Sequence, residues 1–440
     1  MKNLMPIKEI VIKEGAINDL TPIINKIGVN SKIMIICDNN TYKVAAKEII
    51  ERLESNNFFV TKCVLERDSL LIPDEYSLGE VLINLDKDTE FLLAVGSGTI
   101  NDLVRFVSFK VGKPYGIVAT APSMDGYASS VSPLIVKGFK RTYSAIYPEI
   151  IIGDIDIISQ APYEMITAGF GDVIGKYTSL ADWYISNVIT GETYSEDIVA
   201  LVKESIDKCV NASTGLLKRD KKSIKELMEA LIISGIAMLK FGNSRPASGA
   251  EHHLSHYLEM KEILSKNEYH LHGTKVGITS IIISEIYHYI FSFTVDDIKK
   301  FMSKKLSLNR DEFEARIKNA YGAIANEVLS NLNYFYIDEI KRKQRQERIL
   351  EKWGHMRNWV KINVPEAVTI RDLLRRIGAP SKLNEIGVNE VLLYDMLNNA
   401  KEIRKNYTIL RLAEDINFPV EKLFEKVKKI FKYSLKMNNP

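Results

Sequence analysis

The chain has 440 residues, 46% of them hydrophobic and 26% charged, the composition of a globular protein long enough for two or three domains with cores of their own. Its net charge of +3 is too small to imply a nucleic-acid partner. Its three cysteines, Cys37, Cys63 and Cys209, lie far apart with no CxxC, which argues against a disulfide frame and reads as reduced, buried side chains in a cytoplasmic protein.

The N-terminus has scattered charges and no apolar core segment, so no signal peptide is expected. IVI at 10–12 reads as a first strand, followed by an amphipathic stretch from Ala16 to Ile27 that ends near Gly28. KIMIICD at 32–38 is a buried-strand pattern, with a helix from about Thr41 to Leu53. FFVTKCVL at 58–65 is the next strand, and Pro73-Asp74-Glu75 is a helix start. FLLAV at 91–95 is an uninterrupted apolar run, as expected for a central parallel strand covered on both faces, and Ile100 to Val111 reads as a helix. This rhythm implies a parallel sheet with crossovers. After a strand at 116–120 a loop-rich passage is expected, and YSAIYPEIIIGDIDII at 143–158 suggests two short strands about a turn. From Tyr163 onward nearly everything has helical period. The boundary is therefore placed at about 158, between an α/β domain at 1–158 and an all-helical domain at 159–440 with an extension from about 330. DEIKRKQRQERILEKW at 338–353 reads as a solvated helix face. The most apolar window, Val276 to Phe293, is broken by Ser, Glu and His, so no membrane span is expected.

Two stretches carry chemistry. In VGSGTINDL, Gly96 and Gly98 follow an apolar strand and open a helix, where backbone N–H groups and the helix N-terminus suit a phosphate. The full GxGxxG is absent, since position 101 is Asn, and an ordinary strand-to-helix turn is the competing reading. Asp38, just past the strand, is placed to meet a ribose hydroxyl, although a helix cap at Asp38–Thr41 explains it equally well. The second stretch is 249–275, which holds five of the seven histidines. His252 and His256 stand at i, i+4, one helical face, and imidazole is the commonest ligand for a divalent metal. A catalytic metal also wants a carboxylate and an open position. Asp172, Asp182, Asp154 and Asp125 are all candidates, and spacing does not choose among them.

The strings GSGTIND, APSMDGYASS, GFGDVIGKYTSLADW, SRPASGAEHHLSH and HLHGTKVG, in this order, resemble the glycerol-1-phosphate dehydrogenases. These belong to the superfamily of metal-dependent alcohol and glycerol dehydrogenases and dehydroquinate synthases. The likeness runs from the N-terminus to roughly residue 290, and NYTILRLAEDI at 406–416 resembles the longer bacterial members. It implies a Rossmann-like NAD(P)-binding domain followed by an all-α domain, the dehydroquinate synthase-like architecture. It also implies one divalent metal held by Asp172, His252 and His272, with zinc or nickel ahead of iron. Lys176 stands where four-ligand alcohol dehydrogenases have a histidine, a departure shared with the glycerol-phosphate branch, and Asp172 stands where dehydroquinate synthases have glutamate, which counts against the lyase reading.

The implied reaction is hydride transfer between NAD(P)H and the carbon pair of dihydroxyacetone phosphate and sn-glycerol 1-phosphate. Asp125 would orient a substrate hydroxyl; His256, on the metal side of its helix, would either support the ligands or carry a proton, with His253 and His270 as bystanders. Lys176 and Arg245 are the candidates for the substrate phosphate, as a point charge and a bidentate fork respectively. Gly96, Ser97, Gly98, Thr99 and Asp102 would cradle the pyrophosphate. Thr120 and Ser123 would line the nicotinamide side, and Ser129 completes the cofactor set. A homodimer is expected. The rivals are a polyol dehydrogenase with no phosphate contact, a carbocyclic lyase that uses the cofactor transiently, and an inactive enzyme whose helical end serves interaction.

Overall fold

The computed structural model describes residues 6–68, 70–137, 139–265, 269–304, 309–331 and 335–436. Its strands in chain order are β1 (Glu9–Lys13), β2 (Lys32–Asp38), β3 (Phe59–Leu65), β4 (Phe91–Gly96), β5 (Tyr115–Ala119), β6 (Val131–Val136), β7 (Phe139–Ser144) and β8 (Ile150–Asp154). The runs read as buried strands, KIMIICD and FLLAV, have no polar face and so lie in the interior of a sheet. Six strands form one parallel sheet in the order β1-β8-β5-β4-β2-β3, with β4 buried at every residue. Ile33 pairs with Phe91, Leu92 with Tyr115, and Gly116 with Ile150. The chain steps outward from β2 to β3, then returns to the other side of β2 as β4. That reversal makes a switch point, and the carboxyl ends of β2 and β4 border it.

Six helices bear on the site: α1 (Gly98–Val111), α2 (Tyr163–Ile174), α3 (Lys176–Thr190), α4 (Lys221–Phe241), α5 (Ala250–Ser265) and α6 (His272–Ile290). The expected loop-rich passage after β5 holds a strand instead. Residues 131–136 pair antiparallel with β7, and Leu134 and Ile135 are buried. Pro133 concealed this strand from the sequence, since proline is tolerated in a strand only at edges, and a two-stranded ribbon is all edge. The second expected strand within 143–158 ends at Asp154; Ile155–Ile158 is a short helix capped by the Asp154 carboxylate.

The chain separates into two compact units. The first runs up to Val173 and takes in Ala200–Ser244 and Arg376–Gly378. The sheet ends at Asp154, near the expected boundary at 158, but the unit continues because α4 packs on the Gly126–Ala128 turn and on β1. The second holds Ile174–Val199, Arg245–Arg375 and the chain from Ala379 onward, and the elements described in it are helices. The charge run lies in a helix, Glu339–Asn363, that buries only a stripe of Ile349, Trp353, Met356 and Val360. Among the described residues no single helix is long and apolar enough to cross a membrane.

Candidate active site

In the first unit, β4 feeds directly through Ser97 into α1, and the Ser97 side chain makes no capping hydrogen bond to that helix. Its backbone N–H groups therefore stand at the positive end of a 14-residue helix, the arrangement that suits an anion. Asp38 lies one strand over, at the end of β2, where its Oδ1 accepts from Asn40 N and Thr41 N, both at 2.8 Å. The helix cap is thus real. Thr120 and Ser123 follow β5 and are nearly buried. Ser129 has a local task, its Oγ accepting from Val131 N at 3.2 Å.

Asp102 has a partner within the fold. Its carboxylate pairs with the fully buried Arg105 at 2.9 Å, and Arg105 reaches on to the carbonyls of Val131, Gly126 and Tyr127. Burial lifts the Asp102 carboxyl to about 7 against the pull of Arg105. Asp102 thereby holds the arginine that fixes the loop at 126–131.

Of the four candidate aspartates, two are occupied elsewhere. Asp154 accepts from Gly15 N, Ile17 N and Asp156 N at 3.0–3.2 Å. Asp182 accepts from Tyr287 Oη, Ala250 N and Ile409 N at 2.5–2.6 Å. Asp125 and Asp172 come together within the first unit: Asp125 N donates to Asp172 Oδ2 at 3.1 Å. Asp125 Oδ2 accepts from Ser234 Oγ at 2.9 Å, a partner that nothing in the sequence singled out. Asp172 is wholly buried on α2. The loop at 121–129 approaches its neighbours so closely that two glycines are required. A Cβ on Gly169 would meet Pro122 O at 1.8 Å, and one on Gly235 would meet Asp125 O at 2.7 Å.

In the second unit, α5 and α6 pack together and bring three imidazoles into a triangle. Ring centroids are 5.9 Å apart for His252–His256, 5.2 Å for His252–His272 and 5.1 Å for His256–His272. Each ring sets its Nδ1 against a fully buried glutamate: His252 on Glu251 at 2.8 Å, His256 on Glu259 at 3.0 Å, and His272 on the same Glu259 at 2.8 Å. An ionised carboxylate can only accept, so each neutral ring carries its hydrogen on Nδ1 and its lone pair on Nε2. This is the arrangement in which histidine binds a metal. Burial opposes ionisation of Glu251, yet donors from His252, Thr178 and Gly249 hold its carboxyl below the usual glutamate range. His256, Glu259 and His272 offer ligand atoms within 4.8 Å of one another. His253 is wholly buried among the described residues, with a hydrogen-bond partner on neither ring nitrogen, and burial keeps it neutral. His270 is bonded to Glu262 at 2.8 Å.

Lys176 opens α3 and is fully buried. Arg245 has several partners within the fold. Its Nε lies on both oxygens of Glu192, and its Nη2 donates to the carbonyls of Asp182 and Tyr407 at 2.8 and 2.9 Å. This buried guanidinium ties the turn that enters α5. The residues that sequence reading missed are Glu251 and Glu259. Their spacing in AEHHLSHYLE was visible, but which ring each serves depends on the packing of α5 and α6.

A family model for iron-containing alcohol dehydrogenase matches residues 11–162. The glycerol-1-phosphate dehydrogenase (NAD(P)+) of Bacillus licheniformis is 33% identical over 410 residues, 93% of this chain and 89% of the relative. That of Thermococcus kodakarensis is 30% identical over 280 residues, 64% of this chain and 78% of the relative. Among solved structures, glycerol dehydrogenase from Schizosaccharomyces pombe superposes with a TM-score of 0.65 at 17% identity, over 98% of this chain and 90% of that one.

Proposed function

The chain belongs to the NAD(P)-dependent glycerol-1-phosphate dehydrogenase family, and on that premise we propose that it interconverts dihydroxyacetone phosphate and sn-glycerol 1-phosphate at a metal site built from Asp172, His252 and His272. The observation that carries the reading is the imidazole triangle with every Nδ1 on a buried carboxylate, a donor set prepared for a divalent ion. Two imidazoles and one carboxylate suit zinc or nickel, and an incomplete protein set leaves a position for substrate.

When bound, the metal supplies Lewis acidity at the substrate oxygen and the nicotinamide gives or takes the hydride. The chain's own residues do the rest. The first turn of α1, with Gly96, Ser97, Gly98 and Thr99, holds the cofactor's pyrophosphate, while Thr120 and Ser123 line its reactive end. Asp125, fixed by Ser234, orients a substrate hydroxyl. His256, with Nδ1 anchored on Glu259, holds the exchanging proton at Nε2. Lys176 supplies the positive charge for the phosphate; buried, it gives a stronger interaction than the same charge in water. The working form is a cytoplasmic homodimer with its three buried cysteines reduced, and light scattering after gel filtration measures its mass.

Steady-state kinetics test the function. Dihydroxyacetone phosphate should be reduced far better than dihydroxyacetone, with net oxidation of NADH or NADPH. Lys176→Ala should raise KM for the phosphorylated substrate at least tenfold, with little change for the free ketone, since a charge-assisted contact is worth about 1.5–3 kcal/mol. A preference for glycerol over glycerol 1-phosphate would overturn the reading.

A further inference from the structure

Glu259 touches two imidazoles at once. Oε1 lies 2.8 Å from Nδ1 of His272 and Oε2 lies 3.0 Å from Nδ1 of His256, and the carboxylate is wholly inaccessible to water. The two rings are nearly parallel, inclined by 20° with centroids 5.1 Å apart. We infer that Glu259 is a positioning residue that fixes the tautomer of both rings together, so that the metal ligand His272 and the proton carrier His256 keep their Nε2 lone pairs only as a pair. This rests on the metal site proposed above.

The argument is one of donors and acceptors. Two Nδ1–H groups converge on one side chain, and only a carboxylate has an acceptor oxygen for each. Lys275 Nζ lies 3.6 Å from Oε1 and 2.6 Å from Glu262. Glutamine has the same shape, but its amide presents one acceptor and one donor. In Glu259→Gln one ring must therefore turn its Nδ1 into an acceptor and move its hydrogen to Nε2. If that ring is His272, a metal ligand is lost. If it is His256, the metal stays and the proton acceptor is lost.

Two measurements test this. Selective 15N-histidine NMR of the metal-free wild-type protein should show Nδ1–H, Nε2-acceptor tautomers for both rings; an Nε2–H form of either overturns the inference, whether or not any variant folds. Chelator-competition titration with Zn2+ should then show binding about tenfold or more weaker in Glu259→Gln, with an altered absorption spectrum after Co2+ loading. Alternatively, Zn2+ affinity is kept and kcat falls at unchanged KM, which supports the assignment through His256. Glu262→Gln, one turn along the same helix, should leave Zn2+ affinity within twofold. Unchanged affinity, spectrum and kcat in Glu259→Gln overturn the inference. A wild-type protein that takes up no Zn2+ overturns the metal site on which it rests, and the inference with it.

Discussion

Gly169 is the position at which a single added methyl group is most directly opposed by backbone. Its absent Cβ would stand 1.8 Å from the Pro122 carbonyl oxygen, a separation no pair of atoms tolerates, and neither partner is the free end of a flexible side chain. Either α2 or the loop at 121–129 must move, and that loop carries Asp125, whose N–H is held by Asp172 on the same helix as Gly169. Gly169→Ala should therefore destabilise the protein by about 1–3 kcal/mol, as overpacking does, and lower kcat/KM by more than the loss of folded protein explains. Urea denaturation and active-site-normalised kinetics measure the two effects; full activity per folded molecule would mean that the loop does not position the substrate. The glycines of GFGD were visible in the sequence. Their reason was not, because Pro122 lies 47 residues before Gly169 and only the fold brings them together.

Among elements, what could be read followed from periodicity and what could not followed from partners distant in sequence. β2 and β4 were legible because a strand buried on both faces has no polar residue to confuse the pattern. β6 was not, because Pro133 argues against a strand unless one knows that its partner is β7 in a two-stranded ribbon. The segment at 404–409 shows the same limit. Tyr407 O and Ile409 N hold Arg245 and Asp182, and so brace the turn leading to His252 from more than 150 residues away. Beside it, Lys401 sits buried among Arg316, Arg411, Glu402 and Glu414, and burial followed by Arg316 pushes its ammonium down to about 8. The unfolded chain keeps the ordinary value of 10.5, so between about pH 8 and 10.5 it holds a proton that the folded chain lacks. Unfolding then takes up a proton, and this residue's contribution makes stability rise with pH across that window. Lys401→Met should raise the urea midpoint at pH 7 and remove this part of the slope. The Asn398 carbonyl still accepts from Arg316 in that variant. A slope identical to wild type between pH 8 and 10 would place Lys401 in water.

For the whole molecule, a metal that binds only the native state links its concentration to stability. With free metal at one hundred times Kd the native state gains about 2.7 kcal/mol, and each further tenfold adds about 1.4 kcal/mol until the linkage saturates the measurement. Thermal midpoints in scanning calorimetry should therefore rise with Zn2+ and fall with a chelator. The chain forms two compact units, so the quantity to follow is the midpoint of the transition that moves, since a single unfolding free energy is not defined if the units melt separately. Cys37, Cys63 and Cys209 are buried in the folded protein and become available on unfolding, where thiolates bind Zn2+. Binding to the unfolded chain subtracts from the shift, so the observed rise is a lower bound on the affinity of the native site. Asp172→Asn keeps the shape of the side chain and removes its charge. It should abolish the Zn2+-dependent rise while leaving the chelator-treated midpoint close to wild type. A midpoint that still climbs with Zn2+ in that variant would mean that the histidine triangle binds the ion without Asp172, and the proposed ligand set would have to give His256 the third place.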